Sequence, residues 1–117
     1  MILHKQNRTA FRKSSWFCTL KLVNENGEPL RLSEREKIIF GIKSSCNDSV
    51  YVIRKILTSD DEINGAYPIC CSPEELSIVP KRYSYDVGVQ YEDGTFIRIV
   101  PESDFYVKTN ITEKEEE

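Results

Sequence analysis

The residue pattern of this chain predicts an all-β fold, an antiparallel β-sandwich of about seven strands with one short helical turn. Three observations carry that expectation. Tyr83, Tyr85, Val87, Val89 and Tyr91 alternate with Ser84, Asp86, Gly88 and Gln90, so one face of a strand is apolar and the other wettable. The same alternation recurs in short segments separated by Gly, Pro, Asn and Asp. No stretch long enough for a helix of about ten residues keeps an apolar stripe of helical period. A five-stranded barrel is the alternative arrangement.

Taken in order, residues 1–13 are sparse in apolar side chains and read as an arm or a first edge strand. Trp16, Cys18, Leu20 and Leu22 alternate with Phe17, Thr19, Lys21 and Val23. Both sets are fairly apolar, which predicts a central strand over 16–23, ended by the turn residues 24–27 and by Pro29. In residues 37–43, Ile38, Phe40 and Ile42 share one face between two lysines. Residues 50–57 are strongly β-forming and 58–64 an acidic turn. Pro68 demotes the strand over 65–71 to an edge or a bulge. Ser72-Pro73-Glu74-Glu75 is a helix-start pattern, with a cap, a proline at the first helical position and a glutamate that can reach back, so the helical turn is expected at about 72–78. The strand over 83–91 turns at Glu92-Asp93-Gly94 and returns over 95–100. Pro101 interrupts before 105–111, and these two segments are one bent strand or two. Trp16, Leu20, Phe40, Ile42, Tyr85, Val87 and Val89 are the expected core.

The 117 residues suit one domain, 1–112 with a basic N-terminal arm, followed by an acidic tail, 113–117, expected to be disordered. That tail holds four acids and one base, which accounts for the net charge of -3. Ahead of Glu25 there is no acid, while Lys5, Arg8, Arg12, Lys13 and Lys21 are basic; a solvated arm is the preferred reading over a nucleic-acid contact. No apolar run is long enough to span a bilayer and none follows the first basic residues as in a secretory signal, so synthesis in the cytoplasm is expected, without a membrane partner. Cys18, Cys46, Cys70 and Cys71 form no C-x-x-C pair, and adjacent Cys70 and Cys71 in a strand point to opposite faces. Free thiols are the expectation, one of that pair buried and one outward.

Chemistry is hard to place. His4 is the only histidine and lies in the arm, so neither a nucleophile with its base nor a zinc site is expected. Asp60-Asp61-Glu62 and Glu74-Glu75 are adjacent acids rather than carboxyls facing each other across a cleft, and read as solvated loop residues. Calcium at Asp60-Asp61-Glu62 with Asn64 lacks EF-hand spacing. No catalytic residue, metal or cofactor is expected. Sequons at Asn7, Asn47 and Asn110 read as chance.

One resemblance gives direction. Phe17-Cys18-Thr19-Leu20-Lys21-Leu22 with Asn26-Gly27-Glu28-Pro29-Leu30, then Ile38-Ile39-Phe40-Gly41-Ile42-Lys43, resembles the opening of immunoglobulin-like domains in bacteriophage and prophage tail and baseplate proteins. Gly65-Ala66-Tyr67, Leu76, Tyr83-Ser84-Tyr85-Asp86-Val87 and Phe105-Tyr106-Val107 resemble the second half of such small virion proteins, including N-terminal domains of upper baseplate proteins. Members often carry glycine just before the Y-x-Y strand, where this chain has Lys81-Arg82. The resemblance covers about residues 8–112 and implies an immunoglobulin-like sandwich assembled into a virion, contacting other virion proteins or itself. No active site comes with it. The expected interface is Phe96, Val100 and Tyr106, in the phase opposite Ile97, Ile99, Phe105 and Val107. The alternative is a carbohydrate-binding or host-attachment module with Phe96 or Tyr106 as a glycan platform.

Overall fold

The structure is a computed structural model that describes residues 6–24 and 26–109. The predicted acidic tail, His4 and the sequon at Asn110 lie outside the described residues. Among the described residues seven strands follow in chain order: β1 (Arg8–Phe11), β2 (Trp16–Leu20), β3 (Lys37–Lys43), β4 (Ile53–Leu57), β5 (Tyr67–Cys71), β6 (Lys81–Gln90) and β7 (Phe96–Lys108). One sheet has the order β1-β7-β6-β3-β4, and β2 pairs with β5 in the other.

The fold is an all-β sandwich. Its connectivity is immunoglobulin-like: β2 and β5 occupy the places of strands B and E, β3, β6 and β7 those of C, F and G, and β4 the added C′ strand of the variable type. Tyr83 completes the likeness. Near the start of β6, its hydroxyl donates to the Val79 carbonyl at 2.6 Å, four residues upstream, which is the tyrosine corner of such domains.

Residues of alternate phase meet between the sheets. Phe40, Ile42, Tyr85, Val87 and Val89 are buried as the period-two reading requires. Trp16 crosses from β2 to stack on Phe40, with centroids 5.9 Å apart, and meets Phe105 edge-on at 5.0 Å. Leu32 and Leu76, from connecting segments, fill the remainder of the core. The Leu32 N–H donates to the Tyr67 hydroxyl at 2.8 Å, which fixes that segment over β5.

Several expectations are corrected. β2 is not central: in a two-stranded sheet both members are edges, so Trp16 and Leu20 are only half-buried and Phe17 is 73% exposed. The strand also stops at Leu20, with Val23 in a lone bridge to Pro29. β1 runs parallel to β7, so the larger sheet is mixed rather than purely antiparallel. No helix spans 72–78. The capping box forms, with the Ser72 N–H donating to Glu75 Oε1 at 2.9 Å and the Glu75 N–H to Ser72 Oγ at 3.1 Å. The turn closes from the Leu76 N–H to the Ser72 carbonyl and from the Ser77 N–H to the Glu74 carbonyl and goes no further; Leu76 is fully buried and Pro80 follows. The helical turn falls instead at Ser59–Asp61, a 3-10 turn whose Asp61 carboxylate accepts the Thr58 N–H at 2.8 Å. Residues 50–52 stay out of β4, and Val50 is exposed.

Residues 96–108 form one strand. Its ladder with β6 shifts between Tyr85 and Val87 and again between Val87 and Gly88, each time placing an extra residue on β7. Pro101, which cannot donate to a ladder, sits within this irregular region. Ser103, 3% exposed, is satisfied there: its hydroxyl donates to the Pro101 carbonyl at 2.8 Å and accepts the Gln6 N–H at 3.0 Å. The Tyr85 hydroxyl donates to the Gln6 carbonyl, so the segment ahead of β1 is fastened to the bulge.

Cys70 faces out and Cys71 in, as their adjacency demands. Burial pushes the Cys71 thiol up to about 11, helped by the nearby Glu75 carboxylate.

Two outcomes are expected. Trp16→Ala removes the bridge between the sheets and lowers stability by about 3 kcal/mol, read from the urea midpoint, whereas Tyr83→Phe, which loses one hydrogen bond, costs about 1 kcal/mol. The Lys55 ammonium, 2.6 Å from Glu75 Oε2, and the Ser72 N–H hold the Glu75 carboxyl below its ordinary value of 4.5. Its contribution to stability is therefore complete above pH 4.5 and is lost as pH falls through the lowered folded value. Glu75→Gln should flatten the acid limb of a midpoint-against-pH curve; superimposable limbs would show that other carboxylates set it.

Candidate functional site: a groove on the outer sheet face

The period-two pattern that fills the core places the intervening residues on the outer face of the five-stranded sheet. On β3 these are Ile39, Gly41 and Lys43; on β6 they are Ser84, Asp86 and Gly88. Gly41 pairs with Asp86 and Ile39 with Gly88, so two glycines lie diagonally across adjacent strands. Each leaves a hollow that an aromatic ring fills. A Cβ on Gly41 would come within 2.6 Å of Tyr51 Cε1, and one on Gly88 would run into the Phe96 ring. Neither glycine has a positive φ, so what they supply here is close approach rather than turn freedom.

Between the two rings lies a groove of about 380 Å³, bordered also by Lys43, Arg54, Arg98 and Glu102. That volume falls within the range of small-ligand and anchor-residue pockets. Its cations rest on its rings: Lys43 Nζ is 4.7 Å and the Arg54 guanidinium 5.3 Å from the Tyr51 centroid, and the Arg98 guanidinium is 5.2 Å from that of Phe96. Arg98 Nε also donates to Asp86 Oδ2 at 3.0 Å.

Of the three residues expected at an interface, only Phe96 belongs to this site. Val100 is 4% exposed and packs in the core. The first bulge turns Val100 inward and the second restores the original phase: Ile97 pairs with Val89 on the inner face but is 42% exposed near the end of the strand, and Ile99, between the two faces at the bulge, is half-buried. Tyr106 is half-buried, donates to Asp104 Oδ2 at 3.2 Å and pairs with Thr9 of β1, about 30 Å along the strand from Phe96. Tyr51, Lys43 and Arg54 escaped the sequence reading. The available signal was Gly41 and Gly88, each a lone glycine in the wet phase of a strong strand pattern.

Three of the acids weighed for chemistry have structural partners. Asp61 and Glu75 cap turns. Glu62 Oε1 lies 2.7 Å from Arg31 Nε, a contact of charges rather than an aligned hydrogen bond. No group of three metal-ligating side chains occurs among the described residues.

No protein-family model and no curated protein matches the chain. Among solved structures it is similar to murine CRIg, with a TM-score of 0.40 and 11% identity over 89% of this chain and 92% of that one.

Gly88→Ala tests how the groove is built. Its backbone admits alanine, so the Phe96 ring must swing away. The expected result is loss of the NMR contacts between the Phe96 ring and the backbone of residue 88, with a smaller stability change than for Trp16→Ala. Retained contacts with a large stability loss would show that the ring is wedged in place.

Proposed function

We propose that this chain is a non-enzymatic binding domain acting through protein–protein contacts, a tail or baseplate component of a bacteriophage or prophage made in the bacterial cytoplasm and assembled into the virion. The observation that carries the contact reading is the outer face of the five-stranded sheet, where two glycines, two covering rings and three cations form one groove. The virion assignment comes from the sequence segments that resemble tail and baseplate domains, Gly65-Ala66-Tyr67 and the Tyr83–Val87 strand chief among them.

Protein contact is preferred to sugar stacking for a geometric reason. A pyranose needs a bare aromatic face, but Phe96 lies against Gly88 with Arg98 over it, and Tyr51 lies against Gly41 with Lys43 and Arg54 over it.

The test is affinity measurement against purified products of neighbouring genes. Tyr51→Ser and Phe96→Ser should each weaken the contact about tenfold or more, as anchor residues do, while Tyr106→Ser should leave it unchanged. If Tyr106→Ser abolishes binding and the groove variants do not, the interface lies on the β1 side of the sheet. Binding on a glycan array that is lost in Phe96→Ser would replace the protein-contact reading.

A further inference from the structure

The groove's charges do not balance. The chain as a whole carries -3, yet Lys43, Arg54 and Arg98 face only Asp86 and Glu102 in the lining. Asp86 is engaged by Arg98 at 3.0 Å. Lys43 and Arg54 converge on the single Tyr51 ring, at 4.7 and 5.3 Å, and no carboxylate among the described residues pairs with either. Two like charges held near one ring repel each other, and an incoming anion relieves that repulsion while the ring keeps both stems in place.

Resting on the protein-contact reading, we propose that the groove recognises an acidic segment of a partner protein, with Lys43 and Arg54 taking its carboxylates and Phe96 bordering the opposite end. Arg54 is the fork-shaped donor suited to a carboxylate, and Lys43 a neighbouring point charge. Glu102, also in the lining, repels acid and so biases the carboxylates toward the Tyr51 end. An extended peptide fits the setting better than an acidic sugar because each ring lies against a glycine and has cations over it, which leaves charge rather than a stacking surface as the feature on offer.

The experiment is fluorescence anisotropy of the full chain with a fluorescein-labelled Glu-Ser repeat peptide, its Gln-Ser counterpart and labelled oligogalacturonate. The Glu-Ser peptide should bind, the Gln-Ser peptide should not, and affinity should fall as salt rises. Lys43→Glu and Arg54→Glu should each weaken binding roughly tenfold, as expected for loss of one charge-assisted contact. Lys37→Glu, at the far end of β3, serves as the control for net charge and should have little effect; unchanged circular dichroism spectra establish that the variants fold. Binding that survives the Lys43→Glu, Arg54→Glu double variant, oligogalacturonate binding without peptide binding, or no binding at all would each overturn the proposal. Its failure is separable from that of the contact reading: if a neighbouring virion protein loses affinity with Phe96→Ser but not with the charge reversals, the face is an interface and its partner is not recognised by acid.

Discussion

Everything else in this molecule depends on two strands covering the inner face of five. A two-stranded sheet cannot seal that area by itself, and the contact that holds the layers together is aromatic: Trp16 on β2 stacked on Phe40 of β3 and set edge-on to Phe105 of β7, with Tyr85 of β6 touching both rings at 5.7 and 5.9 Å. In antibody domains the equivalent position between strands B and F holds a disulfide with a tryptophan against it. Here rings from four strands supply the bulk, and the cysteines stay apart as free thiols. Connecting segments complete the cover, Leu32 by way of the Tyr67 hydroxyl and Leu76 by way of a capped turn. That use of Leu76 is why residues 72–78 are not a helix: a continued helix would carry the chain away from the gap that Leu76 fills.

How much of this was legible in the sequence varies with the kind of signal. Where one face of a strand is core and the other is water, alternation reads correctly, and Tyr83, Tyr85, Val87 and Val89 are all buried. The reading fails wherever register is set by something other than period two. Val100 was misplaced because bulges on β7 insert extra residues opposite Tyr85–Gly88, and each insertion turns the following side chains to the other face. Pro101 signalled an irregularity but not its direction. β2 was misjudged for another reason. Apolar residues on both faces usually mean a strand covered on both sides, whereas here Phe17 simply stands in solvent.

The candidate site was largely hidden because its parts are far apart in sequence and individually bland. Tyr51 lies in a loop, Arg54 on an edge strand, and Gly41 and Gly88 contribute by having no side chain. Only pairing Gly41 with Asp86 and Ile39 with Gly88 brings them together. The glycines cost strand stability, since each loses side-chain packing and adds chain entropy. The rings of Tyr51 and Phe96 recover part of that by covering the exposed backbone, a pairing also used to rescue glycines in designed sheets.

Core and groove are consequently tied to each other. Ile38, Phe40 and Ile42 face inward from the same seven residues whose alternates, Ile39, Gly41 and Lys43, face the groove. A slip of one residue in β3 would bury Lys43 and expose Phe40, so the hydrophobic core that selects the register also fixes where the cation stands. β4 is held the same way, with Ile53 and Leu57 buried and Arg54 turned outward opposite Gly41. On the proposed reading, substitutions on the outer face would then alter recognition with little effect on the aromatic bridge beneath, because the two sets of side chains project from opposite faces of the sheet. Such separation would let one stable sandwich carry different binding surfaces, and on the proposed contact reading it places the determinants of specificity in the wet phase of β3, β4 and β6 and in the two rings that close over their glycines.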